Sequence, residues 1–308
     1  MLLRSFDQAM GMAVDQDRLA IGTAFQVWTL WNSRSVAAKL NTSDDFRSEY
    51  PYDACYMPRS AHVTGAIDVH EMAWGRDDEL WLVNTHFSCL CTLGDRFSFV
   101  PRWRPPFVSE LAREDRCHLN GLAMQNGRPK YVTCFGETDS AEGWRAGKLD
   151  GGCVIDVTAG EVVTRGLSMP HSSRLYQGKL WVLNSGQGTL ITVDPDSGRQ
   201  DIVVELPSYT RGLCFAGRYA FVGLSKIRET AVFGGVPVAE KYPDRPCGVA
   251  VVDIIDVRQV GLIEFVESIR EVFDVALLPG ARWPAIVGLE KEIIQQTSVV
   301  GPETPFDE

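Results

Sequence analysis

His70-Glu-Met-Ala-Trp74, followed shortly by Leu80-Trp-Leu-Val-Asn-Thr85, is the stretch on which the fold turns. Its likeness returns about a hundred residues later as Ser172-Ser-Arg-Leu-Tyr176 and Leu180-Trp-Val-Leu-Asn-Ser185. Each instance is a short apolar run, a turn, and a second run of Leu, Trp and Val that ends on small polar residues, the pattern of two antiparallel strands. The same unit stands at Met10-Gly-Met-Ala-Val14 with Arg18-Leu-Ala-Ile-Gly-Thr23, and at Asn120-Gly-Leu-Ala-Met124 with Lys130-Tyr-Val-Thr-Cys134. It recurs at Arg211-Gly-Leu-Cys-Phe215 with Tyr219-Ala-Phe-Val-Gly-Leu224, and at Phe273-Asp-Val-Ala-Leu277 with Pro284-Ala-Ile-Val-Gly288. Six copies at a mean spacing of about 53 residues lie near the period of propeller blades. After the fourth copy, Thr189-Leu-Ile-Thr-Val-Asp-Pro-Asp-Ser-Gly198 and Asp201-Ile-Val-Val-Glu-Leu206 supply a third and a fourth strand.

The chain is therefore expected to be all-β, a six-bladed β-propeller formed by one domain over residues 1–308. The segment Leu2 to Phe6 is expected to close the ring as the outer strand of the last blade. Residues 32–58 read as an insertion in blade one and 300–308 as an acidic tail. Short helices are expected only at Phe107 to Arg116 and around Glu267 to Phe273.

Composition narrows the function. With 45% apolar and 23% charged residues the chain can bury a large core, and 30 Lys+Arg against 40 Asp+Glu give a net charge of −10. Such a field repels phosphate backbones and anionic lipid, so neither nucleic acid nor a membrane surface is an expected partner. No secretory signal and no apolar run near the roughly 20 residues of a membrane span is visible. Eight cysteines are scattered without a CxxC pair, and Cys89 and Cys91 on one strand face are too extended for a mutual disulfide. Buried free thiols and a cytoplasmic location are the expectation. Oligomeric state is left open.

The candidate site follows from the repeat. Innermost strands of a propeller begin at one end of the central channel, so equivalent positions of different copies converge there. Those positions hold His70 and Glu71, His118 and Asn120, His171 and Ser172, Arg211, and Asp274. Loops after the second strands add His86 and Lys226 at the same mouth. Three of the chain's five histidines fall at inner-strand starts. Imidazole suits proton transfer near neutrality, and an arginine can hold a carboxylate or a developing oxyanion. The catalytic candidates are thus His70, His118, Asn120, His171 and Arg211, with His118 and His171 as acid and base. Glu71, His86, Trp144, Arg145, Ser172, Lys226 and Asp274 are candidates for substrate binding, Trp144 and Arg145 as a cap. A small polar or anionic metabolite is the expected substrate, and the reaction that of a lyase, isomerase or hydrolase without a cofactor. Two alternatives stand beside it: a divalent metal on His70, His118 and His171, and a propeller that binds a ligand or protein without catalysis. Trp81 and Trp181 match in the repeat and read as packing between blades.

At Asp115-Arg-Cys-His-Leu-Asn-Gly-Leu-Ala123, Ser168-Met-Pro-His-Ser-Ser-Arg174 and Leu180-Trp-Val-Leu-Asn-Ser-Gly186 the sequence resembles a mainly bacterial family known only as a conserved domain of unknown function. More distantly it is similar to the six-bladed gluconolactonase and strictosidine-synthase propellers. That resemblance implies a divalent cation held by a Glu, two Asn and an Asp at inner-strand starts. Glu71 and Asn120 fit the first two places, whereas Ser172 and Arg211 occupy the next two, and an arginine departs from a calcium ligand set.

Overall fold

The computed structural model describes residues 4–42, 49–226, 234–266, 269–288 and 291–302. Four strands, β1 (Met12–Asp15), β2 (Arg18–Gly22), β3 (Gln26–Asn32) and β4 (Ala54–Val63), form the first antiparallel meander. The second comprises β5 (Val69–Trp74), β6 (Leu80–Asn84), β7 (Cys89–Gly94) and β8 (Phe97–Trp103), and the third β9 (Leu119–Gln125), β10 (Arg128–Cys134), β11 (Gly152–Asp156) and β12 (Glu161–Leu167). β13 (Pro170–Tyr176), β14 (Lys179–Asn184), β15 (Thr189–Val193) and β16 (Gln200–Glu205) make the fourth. β17 (Tyr209–Ala216), β18 (Tyr219–Ser225), β19 (Gly248–Asp253) and β20 (Arg258–Glu264) make the fifth. The innermost strands β1, β5, β9, β13 and β17 touch in that order. The protein is an all-β propeller of five blades.

The repeated Leu-Trp motif explains the stacking. A second strand packs against blades on both faces, so all of Leu80–Asn84 is buried and only Lys179 of Lys179–Asn184 is exposed. Trp81 packs with Leu119 and Val132 of the third blade, and Trp181 with Leu213 and Val222 of the fifth. Outermost strands lack such cover, and most of Arg258–Glu264 is exposed. All eight cysteines are free, seven of them buried. Among the described residues no helix is long and apolar enough to cross a membrane.

Two expectations about the closure of the ring are corrected. Six blades were expected and five are present, because the sixth copy builds no sheet. Its first half, Phe273 to Leu277, forms no strand and lies in the seam between blades five and one. Ser225 Oγ donates to Val272 O (3.1 Å) and accepts from Val272 N (2.9 Å), while Asp274 Oδ2 accepts from Met12 N (2.9 Å). Room for this segment comes from missing side chains: a Cβ on Gly212 would meet Asp274 Cα at 2.7 Å, and one on Gly223 would meet Val272 Cγ1 at 2.6 Å.

Its second half leaves the channel. β21 (Pro284–Ile286) pairs in parallel with β4 and becomes the fifth strand of blade one. Asp53 fastens it there by accepting from the amides of Arg282 (2.7 Å) and Trp283 (3.0 Å), and Tyr50 stacks on Trp283. The outer edge that a sixth blade would need is thereby spent on the first. Among the described residues the N-terminal segment adds no strand to the last blade, and residues 1–3 lie outside them: Arg4 Nε donates to Ile286 O (2.7 Å), and Phe6 packs on Leu19 and Leu30 of blade one.

The 32–58 stretch holds α1 (Arg34–Thr42) and the start of β4, with 43–48 outside the described residues. α2 (Pro237–Lys241) and α3 (Lys291–Gln296) are the other α-helices among the described residues. Phe107 to Arg116 contains turns and no helix, residues 269–273 hold no helix, and 267–268 and 303–308 lie outside the described residues.

Candidate functional site

Inner strands begin with a break in register. Val69 faces Asn84 and Met72 faces Leu82, so two residues oppose one. His171 faces Leu183 and Arg174 faces Trp181, and Thr210 faces Leu224 and Leu213 faces Val222, with the same count. β9 slips likewise between Leu119 and Gly121. These are β-bulges, which re-aim side chains at strand starts. Aligning blades on the partners of Trp81, Tyr131, Trp181 and Phe221 puts His70, Asn120, His171 and Arg211 at one level of the channel. The register therefore moves the fourth copy by one: His171, not Ser172, is the counterpart of His70.

Two residues earlier stand Asp68, His118, Met169 and Tyr209, and Gln8 in blade one. Gln8 (φ 50°), Asp68 (57°), His118 (49°) and Met169 (47°) all take the left-handed conformation that residues other than glycine rarely adopt. In blades two and four this turn folds the histidine back on its own chain. His70 Nδ1 lies 3.3 Å from Asp68 O, and His171 Nδ1 3.0 Å from Met169 O.

Residues of these two levels line a cavity of about 560 Å³, with His70, His118, His171, Tyr209 and Arg211 on its walls together with Lys226. The His70 ring meets His118 edge-on at 4.8 Å and lies 6.4 Å from His171. Phe135 supports both His118 (4.3 Å) and His171 (5.0 Å).

The hydrogen bonds define the tautomers. Thr85 Oγ1 gives its proton to Leu119 O (2.6 Å), so at 2.8 Å it accepts from His70 Nδ1. Met169 O can only accept, which puts the proton of His171 on Nδ1, with Ser185 Oγ at 3.0 Å. His118 Nδ1 donates to Asp115 Oδ2 (2.8 Å), which also accepts from Trp144 Nε1 (3.0 Å). All three Nδ1 atoms are thus anchored and all three Nε2 atoms remain for a ligand. Burial, followed by the nearby Arg211 guanidinium, holds His70 and His171 well below the usual 6.5, so both are neutral near pH 7. Arg211 stacks on Phe273 (4.0 Å), and its buried Nη2 has no hydrogen-bond partner among the described residues.

Of the expected residues, His70, His118, His171, Arg211 and Lys226 come together at the cavity. Asn120 lies beneath it, donating to His118 O (3.2 Å) and accepting from Thr133 Oγ1 (2.6 Å), a prop for His118. Ser172 Oγ accepts from Gly212 N (3.0 Å) and fastens blade four to blade five. His86 sits on the rim with Nδ1 2.9 Å from Ala66 O. Trp144 is buried behind His118 rather than capping the cavity, and Arg145 pairs with Glu142 (2.6 Å) outside it.

Glu71 and Asp274 are not at the mouth. They lie deeper, where Arg174 Nη2 is 2.6 Å from Glu71 Oε1 and 3.8 Å from Asp274 Oδ1. Burial raises both carboxyls, Glu71 to about 7 despite Arg174. Arg174 and Asp274 also line a second cavity of about 480 Å³ with Met12, Met72, Trp74 and Phe215.

The spacing did not reveal Asp68, Asp115, Phe135, Tyr209, Glu271 or Arg174. Thr85 and Ser185 did carry a signal, because each follows an Asn at the end of the repeated Leu-Trp strand and each meets a histidine Nδ1. Arg116 holds the loop that carries Asp115 through Glu110 (2.8 Å), Glu114 (2.9 Å) and Asp139 (2.7 Å). Among the described residues no group of three or more His, Cys, Asp and Glu is arranged to hold a metal ion, and the Arg211 charge opposes one at the three imidazoles.

Fold and mouth together define a five-bladed propeller whose channel opens on polar and ionisable side chains. The chain belongs to the family described as Domain of unknown function (DUF4915), which matches residues 1–287. No curated protein matches the sequence. Solved structures similar to this chain include virginiamycin B lyase from Staphylococcus aureus, at 11% identity and a TM-score of 0.41, covering 70% of this chain and 62% of that one. The computationally designed Ika8 protein shares 11% identity with a TM-score of 0.40, covering 88% and 65%. A protein of unknown function from Bacteroides caccae shares 11% identity with a TM-score of 0.47, covering 83% and 81%. The chain spans less than two thirds of the length of the first two.

Proposed function

We propose that the protein is an enzyme performing acid–base chemistry on a small anionic metabolite, in the class of lyases, isomerases or hydrolases, with protein groups alone. The observation that carries this reading is the meeting of a buried guanidinium nitrogen without a partner and three imidazoles with free Nε2 atoms in one cavity. A buried donor left unpaired costs about 1–3 kcal/mol, and an anionic ligand removes that cost.

Arg211 takes the anionic group. His118 is the acid: Asp115 accepts a hydrogen bond from its Nδ1 and orients the ring, which leaves Nε2 to serve the substrate. His171 is the base, since its environment keeps it neutral with the lone pair on Nε2. His70 orients the substrate as a hydrogen-bond acceptor, and Asn120 positions His118 through its backbone. The protein is expected to consume a carboxylated metabolite from a cell extract, read by mass spectrometry. His118→Ala and His171→Ala are each expected to slow turnover about 10²- to 10⁴-fold with little change in unfolding midpoint. Unchanged turnover in either variant contradicts the assigned roles, and binding without consumption makes the site a receptor.

A further inference from the structure

The mouth of the channel carries charges of both signs. Six innermost positions surround it, five from the blades and one from the segment that includes Val272 to Asp274. Blade two and blade five are three places apart on that ring, so Asp68 and Arg211 look across the cavity they both line. Among the described residues the Asp68 carboxylate has no lysine or arginine within ion-pair distance, although it lies within the field of Arg211. Its nearest group is His70 Nδ1 at 3.5 Å, on a ring already committed to Thr85 and to the Asp68 carbonyl. Opposite it, Arg211 keeps a buried nitrogen without an acceptor. Lys226 and Glu271 add a second cation and a second carboxylate to the walls.

We infer that the ligand of this site is a small zwitterion of the α-amino acid type, its carboxylate on Arg211 and its ammonium on Asp68. The inference rests on the proposed reading of Arg211 as the anion anchor and names the substrate class. A ligand with only a negative group meets the field of Asp68 and Glu271, and one with only a positive group meets Arg211 and Lys226. A molecule carrying both satisfies the two sides at once, in a space where neutral His70 and His171 add no charge of their own. Met10, Val272 and Phe273 supply an apolar stretch of wall for a side chain, and about 560 Å³ accommodates one.

The test is calorimetric titration of the full chain near pH 7 with the common α-amino acids, each beside its desamino carboxylic acid and its decarboxylated amine. At least one amino acid is expected to bind about tenfold or more tightly than both truncated analogues. Asp68→Asn, a residue at ease in the left-handed backbone of this position, is expected to erase the advantage over the carboxylic acid alone. Arg211→Met is expected to weaken amino acid and carboxylic acid together. Carboxylic acids that bind as tightly as their parent amino acids overturn the zwitterion and leave the anion anchor standing. Amines that bind best, or no binding in any series, overturn both.

Discussion

Replacing Arg174 by Met is expected to cost about 3–5 kcal/mol of folding stability near pH 8, the effect of removing one partner from a buried ion pair. Arg174 is the only cation in hydrogen-bonding contact with Glu71 among the described residues, and Asp274 lies beside them. The side chains of Glu71 and Asp274 are each 4% exposed, so without the guanidinium both carboxylates stand poorly solvated and without a neutralising charge. The loss should shrink as pH falls. Glu71 is raised from its usual 4.5 to about 7 even with Arg174 in place, so across that window the folded protein keeps a proton that the unfolded chain releases. Its contribution therefore favours folding below the window and is lost as pH rises through about 7. Without Arg174 the folded carboxyl moves higher still, and the variant is expected to recover much of its stability near pH 5. His70 and His171 work in the other direction in both proteins, since their depressed values remove stability as pH falls below 6.5. Comparing variant with parent cancels that shared slope. Denaturant titrations near pH 5 and pH 8 measure the difference, and an equal loss at both contradicts the assignment of the buried carboxylates.

Arg211→Met is expected to separate stability from function. Methionine is shorter than arginine but fills its aliphatic stem and leaves no buried nitrogen without a partner, so the unliganded fold should lose little or no stability. Affinity for the anionic metabolite, or its turnover, should drop about 10²- to 10³-fold, the scale on which a single electrostatic donor acts at a reacting centre. His70 and His171 should at the same time become easier to protonate, since the Arg211 charge helps to hold both down. Thermal unfolding, ligand titration and histidine NMR read the three effects. A destabilised variant with unchanged binding would make Arg211 a structural residue.

How far the sequence disclosed this molecule depended on what each pattern encodes. The Leu80–Asn84 and Lys179–Asn184 strands repeat because a second strand is packed on both faces, and that constraint is visible as a nearly unbroken apolar run. Phe273 to Leu277 looks like an inner strand for a related reason, since it occupies the sixth place around the channel. Nothing in those residues tells whether a sheet stands behind them. That depends on Asp53 and Tyr50, more than two hundred residues earlier, which draw Arg282 and Trp283 to blade one.

The histidines were legible because they sit at strand starts. The bulges that decide whether His171 or Ser172 matches His70 were not, since a bulge alters pairing and leaves the residue order intact. Glu71 and Arg174 are 103 positions apart, and only the stacking of blades makes them partners. Asp115 was quoted with His118 in the family motif, but its bond to that ring depends on the turn of the loop between them.

The most direct measurement is a crystal structure of the protein after exposure to a metabolite extract. The account predicts a bound molecule in the His70, His118 and His171 cavity, with an anionic group on Arg211 and at least one imidazole Nε2 within hydrogen-bonding distance. A metabolite seated instead in the cavity beside Arg174 and Met72, with Arg211 still unpartnered, would contradict it.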